Sequence, residues 1–164
     1  MNIFAISPEP NECSRALDDV RLRKMVLETA QLLSTAIRIN NPQCKIINEI
    51  YKPTHINHPC AKWARESVDN ILWLTNLGLE YSAEYFFRFK KDHKSCFVIQ
   101  KCAWYVIYFP KTPQTPFPNC TDFKDEPNVF EAYKKHLNKK WARDKAFGRA
   151  PTWTRRDPPD FYVP

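Results

Sequence analysis

Glycine is nearly missing from this chain, whose 164 residues contain 2 glycines and 14 prolines. Tight β-hairpin turns depend on Gly or Asn-Gly pairs, because their backbone needs positive φ angles. The sequence therefore disfavours a fold with many hairpins and favours helices joined by loops. The prolines concentrate after residue 109, which predicts irregular structure late in the chain.

Two long segments carry apolar residues at helical spacing, over about residues 14–38 and 57–90. Asn40-Asn41-Pro42 ends the first, since a residue before proline is driven out of the α region. Asn57 is a good N-cap for the second, and Gly78 is the position at which that helix could kink.

The other segments are shorter. In chain order we predict an extended lead-in (1–10), a short helix (46–51), a helix rather than a strand (96–108), a proline-rich loop (110–118), a helix (128–141) and an irregular, aromatic and basic tail (148–164). The sequence thus predicts one all-α domain over residues 1–164. It is a compact bundle of two long helices plus shorter ones, with a proline-rich loop and an irregular C-terminal tail.

The formal net charge is +7, with a sequence pI near 9.1. This balance favours an anionic partner such as nucleic acid, a nucleotide or a membrane surface. No segment has the ~20 apolar residues of a membrane span, and the first residues lack the basic region of a signal peptide. We expect a cytoplasmic protein (host-cell cytoplasm if viral) with a DNA or nucleotide ligand, no membrane association and no obligate protein partner.

Six cysteines are present, and none forms a C-x-x-C pair: Cys13, Cys44, Cys60, Cys96, Cys102 and Cys120. With no signal peptide expected and a large core available, reduced buried thiols are favoured over disulfides. The sequence predicts no metal site and no cofactor.

A polar strip follows the first long helix within an arc of roughly 100°. Its members are Arg21, Lys24, Glu28, Gln31, Thr35 and Arg38. The strip fits a solvated face with an ordinary Lys24–Glu28 pair. It also fits the wall of a cleft, in which cations bind phosphates and Glu28 activates water or stabilises a developing cation. Spacing alone supports both interpretations.

Two further clusters are similarly ambiguous. Residues 54–59 (Thr-His-Ile-Asn-His-Pro) precede the second long helix, where they could bind an anion or simply cap the helix. In the tail, Trp153 lies beside Arg155 and Arg156, which suits base stacking and phosphate contact. A docked tail with Trp153 in the core explains the same residues.

Four groups of residues, in chain order, carry a resemblance to a known family. They are Leu17-Asp18-Asp19-Val20-Arg21-Leu22-Arg23-Lys24, then Glu28 and Gln31, then Asn57-His58-Pro59 with Trp63, and finally Pro151-Thr152-Trp153. This ordered set resembles the pyrimidine dimer DNA glycosylase family, of the phage endonuclease V type and its bacterial relatives. The resemblance spans nearly the whole chain but is thin between about residues 90 and 127, where this chain looks longer.

The resemblance implies a compact all-α fold in which a glutamate on the first helix, matched by Glu28, assists cleavage of the bond between base and sugar. It implies catalytic candidates Glu28, Arg21 and His58, the last placed beside the site without an assigned step. Candidate substrate or phosphate contacts are Lys24, Gln31, Asn57, Trp63, Trp153, Arg155 and Arg156.

The chain departs from the family at its first residues. The endonuclease V type uses a processed N-terminal threonine amine as nucleophile, forms an imine and then nicks the strand. Here the sequence begins Met1-Asn2, and a large second residue normally leaves the methionine in place. We therefore expect water to be the nucleophile and no lyase step, with Glu28 orienting water and stabilising oxocarbenium-like charge.

Three functions follow as hypotheses. The first is an N-glycosidase that removes a damaged or modified base from DNA. The second is a phage anti-defence enzyme that cleaves a free cyclic or oligonucleotide signal at the same site, with an aromatic insert (Trp104, Tyr105, Tyr108 and Phe109) as the wall of a small pocket. The third is a non-catalytic nucleotide-binding protein in which Glu28 only pairs with Lys24.

Overall fold

The computed structural model describes residues 1–164 and contains helices without any strand. The elements are α1 (Pro10–Ala16), α2 (Asp19–Asn40), α3 (Pro59–Glu66), α4 (Val68–Phe89), α5 (Cys96–Ala103), a 3₁₀ turn (Val106–Tyr108) and α6 (Val129–Ala146). The predicted all-α fold is confirmed. None of the helices is both long enough and apolar enough to cross a membrane.

The two long helices, α2 and α4, pack against each other and against α5. Gly78 lies at this contact, where an added Cβ atom would come 2.9 Å from Thr29 Cγ2 and 3.1 Å from Ile99 Cγ2. At Gly78, where the sequence analysis allowed a kink, α4 continues without a break from Val68 to Phe89. Gly78 instead allows three helices to approach closely.

The first predicted long helix is divided in two. Leu17 and Asp18 have extended backbone, so α1 ends before them and α2 begins after them. Arg88 of α4 donates to the carbonyl oxygens of Arg15 and Leu17, at 2.9 and 2.8 Å, which satisfies acceptors that the break leaves free. The prediction of one helix over 14–38 was wrong because a distant arginine supports the interruption.

The second predicted long helix is also interrupted, at Ser67. This residue has extended backbone, and its side chain accepts a hydrogen bond from the backbone N–H of Asn70, so it caps α4. At the start of α3 the N-cap is His58 rather than the predicted Asn57, since His58 Nδ1 accepts from the N–H of Cys60 at 3.2 Å.

The shorter segments follow the predictions in part. Residues 96–108 are helical, as α5 and the 3₁₀ turn, and α6 extends five residues beyond the predicted end at 141. Residues 46–51 form turns rather than a helix. Within the segment the Glu49 amide donates to the Ile46 carbonyl, but the carbonyls of Ile47, Ile50 and Tyr51 accept from Arg38.

The extended segment before α1 is deeply buried. Ile3 and Ala5 are fully shielded from solvent, and the Tyr81 hydroxyl donates to the Ile3 carbonyl at 3.2 Å. The side-chain oxygen of Asn2 accepts from the backbone amides of Ile3 and Phe4. These contacts fix the first two residues beside α2.

Candidate functional site

Glu28 lies in a cavity and not on an open face. The residue is 8% exposed and lines a cavity of about 270 Å³. The other lining residues are Met1, Asn2, Phe4, Val20, Arg21, Lys24, Met25, Lys140 and Asp144. The N-terminal segment, α2 and α6 therefore form its walls, and the solvated-face interpretation of the first helix does not hold at this residue.

Three nitrogen groups converge on the Glu28 carboxylate. Its Oε2 accepts from the backbone N–H of Asn2 at 3.0 Å and lies 3.9 Å from the amino group of Met1. Its Oε1 lies 3.2 Å from Lys24 Nζ, on a side chain that is 70% exposed. The carboxylate is thus held in one orientation from its buried side, while the exposed side chain of Lys24 covers the solvent side.

A third cation, Lys140 of α6, joins Arg21 and Lys24 around the cavity. Burial lowers the pKa of Lys140, and the charges of Arg21 and Lys24 lower it further. Crowded cations of this kind favour an anionic ligand, which would relieve their repulsion. The sequence analysis did not identify Lys140. The direction in which its side chain points depends on how α6 packs against the rest of the fold, and no local sequence pattern reveals that packing.

Arg21 has a structural part in this site. Its Nη1 bonds to Asp18 at 2.8 Å and its Nη2 to Asp144 at 2.7 Å, and its side chain is only 12% exposed. Trp141 Nε1 also donates to Asp18. Because both terminal nitrogens already bind carboxylates, Arg21 fastens α6 to α2. The remaining candidate phosphate contacts are Lys140 and the exposed Lys24, which also pairs with Glu28.

The C-terminal half of the predicted polar strip is covered by the loop before α3. Thr35 is buried and exchanges hydrogen bonds with the backbone of Thr54, while Arg38 Nε donates to the carbonyl of Tyr51. Gln31, which lies between the N-terminal and C-terminal halves of the strip, is half-buried. Only the N-terminal half of the strip, from Arg21 to Glu28, opens into the cavity.

His58 is half-buried and electrostatically linked to the same site. Burial lowers the pKa of His58, the amino group of Met1 and His55 lower it further, and Glu28 acts in the opposite direction. The neighbouring Asn57 is exposed and does not line the cavity.

Trp63 is a core residue, which corrects its prediction as a substrate contact. It is 2% exposed, its Nε1 donates to the Thr115 carbonyl at 3.2 Å, and its ring packs against Trp73 and Phe117. A ring enclosed in this way has no face left for a base.

The tail is docked onto the helices. The ring of Trp153 packs edge-on against Trp141, and its Nε1 donates to the Ala16 carbonyl at 3.0 Å. Arg156 makes two 2.8 Å hydrogen bonds to the buried Glu84. Trp153 and Arg156 therefore hold the tail in place, and of the three tail candidates only the exposed Arg155 is open to a ligand.

A larger cavity of about 590 Å³ lies between α1, α6 and the tail. Its charged lining residues are Glu12, Arg15, Glu131, Lys134, Arg156, Asp157 and Asp160. Four of these seven are acidic, and Arg156 is already paired with Glu84. This lining suits an anionic ligand less well than the smaller cavity at Glu28 does.

Comparisons of this chain with protein-family models, with curated proteins and with solved structures found no match.

Proposed function

We propose that this protein is an N-glycosidase that removes a damaged or modified base from DNA, with Glu28 as the catalytic carboxylate. The observation that carries the proposal is the sheltered position of Glu28 beside Lys24 and Lys140. The resemblance to the pyrimidine dimer DNA glycosylase family supports the same residue independently of its surroundings.

The chemistry follows from where the charges lie. When the bond between base and sugar breaks, the base takes the electron pair and positive charge develops on the sugar ring. A fixed carboxylate such as Glu28 stabilises that charge and can accept a proton from the attacking water. Asn2 already orients the carboxylate through its backbone N–H, so little reorganisation is needed during the reaction.

The same cavity explains how a DNA substrate would be held. A base inside a duplex is out of reach, so the target nucleotide must leave the stack and enter the cavity. Lys24 and Lys140 are then placed to contact the flanking phosphates. Because such contacts release counterions, binding should weaken steeply with salt concentration.

A small nucleotide signal as substrate is less well supported. Of the four aromatic residues of the insert, Trp104, Tyr105 and Tyr108 line a small hollow that is separate from the Glu28 cavity, and Phe109 is buried in the core. The insert therefore does not close the Glu28 cavity.

The decisive experiment compares wild type with Glu28→Gln, which keeps the size of the side chain and removes its charge. Each protein is incubated with duplex DNA carrying modified bases and with a panel of cyclic nucleotides, and released free base is measured by mass spectrometry. We expect base release from DNA by wild type and a loss of at least about 100-fold in Glu28→Gln.

Glu12→Gln is the matched control, since Glu12 is an exposed glutamate that lines the larger cavity instead. It should retain wild-type activity. Products from cyclic nucleotides alone would favour the signal-cleaving function, and binding without turnover by wild type would favour the non-catalytic one. Equal activity of wild type and Glu28→Gln would overturn the proposal.

The nucleophile has its own test, because the Met1 amino group lies 3.9 Å from Glu28 Oε2. Attack by water leaves no covalent link between protein and DNA. Attack by the amine forms an imine, which borohydride reduces to a stable adduct. We predict free base with no trapped adduct, and a trapped adduct would show that the amine replaces water.

A further inference from the structure

Three side chains of types that can bind metal ions lie close together beside the Glu28 cavity, although their spacing in the sequence does not predict this. Donor atoms of His58, Cys60 and Cys120 all lie within 4.8 Å of one another, and the two sulfur atoms are 3.4 Å apart. His58 is the N-cap of α3 and Cys60 lies in its first turn, whereas Cys120 comes from the loop before α6.

The distances suit a tetrahedral ion. With Zn–S bonds of about 2.3 Å and Zn–N bonds of about 2.0 Å, the two sulfur atoms of a tetrahedral site lie about 3.8 Å apart and each lies about 3.5 Å from the nitrogen. The sulfur atoms are 3.4 Å apart, so they would separate by only about 0.4 Å on binding an ion. The His58 Nδ1 atom carries its lone pair toward Cys60, because it accepts the N–H of that residue, so a small rearrangement exchanges this hydrogen bond for a metal bond.

The loop that carries Cys120 is held by contacts from two other parts of the chain. The Tyr133 hydroxyl donates to the Pro118 carbonyl at 2.7 Å, and Asn2 Nδ2 donates to the Cys120 carbonyl at 3.3 Å. Asn2 thereby touches both this cluster and Glu28. A preorganised loop lowers the entropic cost of bringing the third ligand to an ion.

The thiols are also suited to ion binding. The Cys60 thiol donates to the Cys120 sulfur at 3.4 Å, so the two sulfur atoms already share a proton that a bound ion would displace. Thiolate is the form that binds metal. A disulfide would account for the two cysteines, but it would not use the His58 ring nitrogen that lies within 4.8 Å of both sulfur atoms.

We propose that His58, Cys60 and Cys120 form a Zn²⁺ site that links α3 to the loop before α6 and leaves its fourth position to water. Two thiolates and one imidazole form a soft-to-borderline donor set that prefers Zn²⁺ over Mg²⁺ or Ca²⁺. The site does not depend on the proposed glycosidase function, because its test needs no nucleotide.

The test uses the full chain, reduced and stripped of metal with a chelator, and titrated with Co²⁺ as a spectroscopic substitute for Zn²⁺. We expect one equivalent of Co²⁺ to give thiolate charge-transfer absorption and the strong visible bands of four-coordinate geometry. Zn²⁺ should remove these bands and raise the melting temperature. In Cys120→Ser the charge-transfer absorption should fall and the affinity should weaken more than about tenfold.

Cys96→Ser is the matched control, because Cys96 is a half-buried cysteine at the start of α5 that is not in the cluster. It should bind Co²⁺ like wild type. Circular dichroism checks that each variant keeps its helices, and His58→Ala provides a second ligand variant. The proposal is overturned if reduced wild type takes up no Co²⁺, if uptake survives in both ligand variants, or if Cys96→Ser abolishes it.

Discussion

The buried side chain of Arg88 allows a quantitative test of how the tail and the break between α1 and α2 are held. Its side chain is fully shielded from solvent, and it pairs with Glu84 at 2.7 Å and with Asp19 at 3.1 Å. It also donates to two carbonyl oxygens at the break between α1 and α2. We therefore predict that Arg88→Met, which keeps the length of the side chain, destabilises the protein severely.

The magnitude follows from what each partner retains. Removing one member of a buried ion pair typically costs about 3–5 kcal/mol, because it leaves an uncompensated charge. Here Glu84 keeps its two hydrogen bonds from Arg156, and Asp19 keeps bonds from Thr152 and Thr154. We therefore expect the lower end, about 3 kcal/mol, which corresponds to a decrease in melting temperature of roughly 6–12 °C for a chain of this size.

The assay is thermal and urea unfolding followed by circular dichroism. Arg155→Met is the control, since this exposed arginine makes a single hydrogen bond to the Phe87 carbonyl, and it should stay within about 0.5 kcal/mol of wild type. The triple variant Arg88→Met with Asp19→Asn and Glu84→Gln should recover part of the loss, because no buried charge is left unpaired. An Arg88→Met protein that melts within about 2 °C of wild type would refute the reasoning.

Two further predictions concern acid stability and helix packing. Burial opposes ionisation of Asp19, but hydrogen bonds from Thr154, Arg88 and Thr152 outweigh it and hold the pKa of Asp19 below its usual value. Ionised Asp19 therefore contributes to the free energy of unfolding above about pH 4, and this contribution is lost as pH falls through the lower folded-state pKa. Urea unfolding should show that the free energy of unfolding declines less between pH 5 and pH 3 in Asp19→Asn than in wild type. Equal declines in the two proteins would contradict this assignment. In Gly78→Ala, a gain in helix propensity of about 1 kcal/mol meets a clash with the methyl group of Thr29 at 2.9 Å, so we expect a net loss of about 1 kcal/mol in unfolding free energy. Thr29→Ser removes that methyl group, and Gly78→Ala should be better tolerated in this background; a stabilised single variant would show that the helices can move apart at no cost.

The sequence was a good guide to the helices and a poor guide to their interruptions. Helical spacing predicted most of α2, α4 and α6, since these helices bury continuous apolar faces. It did not reveal the break at residues 17–18, because the carbonyls freed there are satisfied by Arg88, about 70 residues away. Ser67 is an N-cap residue type and could have marked the second break, but the apolar pattern continues across it and hid the signal.

The candidate site was predictable along one helix and not across several. Lys24 and Glu28 share a face four residues apart, which spacing detects. The cavity that gives Glu28 its shelter also needs Asn2 and Lys140, and these come from opposite ends of the chain. The cluster of His58, Cys60 and Cys120 was unpredictable for the same reason, because Cys120 lies 60 residues from Cys60 and only the tertiary fold brings the two together.

Two consecutive aspartates at the start of α2 connect the stability of the fold to the geometry of the site. Asp19 binds Arg88 and the tail, whereas Asp18 accepts from Trp141 and Arg21 and so draws α6 toward α2. Negative charge at a helix N-terminus is favourable, which offsets part of the cost of burying these two side chains. Since α6 supplies Lys140 and forms one wall of the Glu28 cavity, the shape of that cavity depends on Asp18 and Arg21 even if neither side chain touches a substrate. The resemblance implies that Arg21 contacts phosphate, whereas its bonds to Asp18 and Asp144 indicate a positioning role: this arginine holds the wall that shelters Glu28.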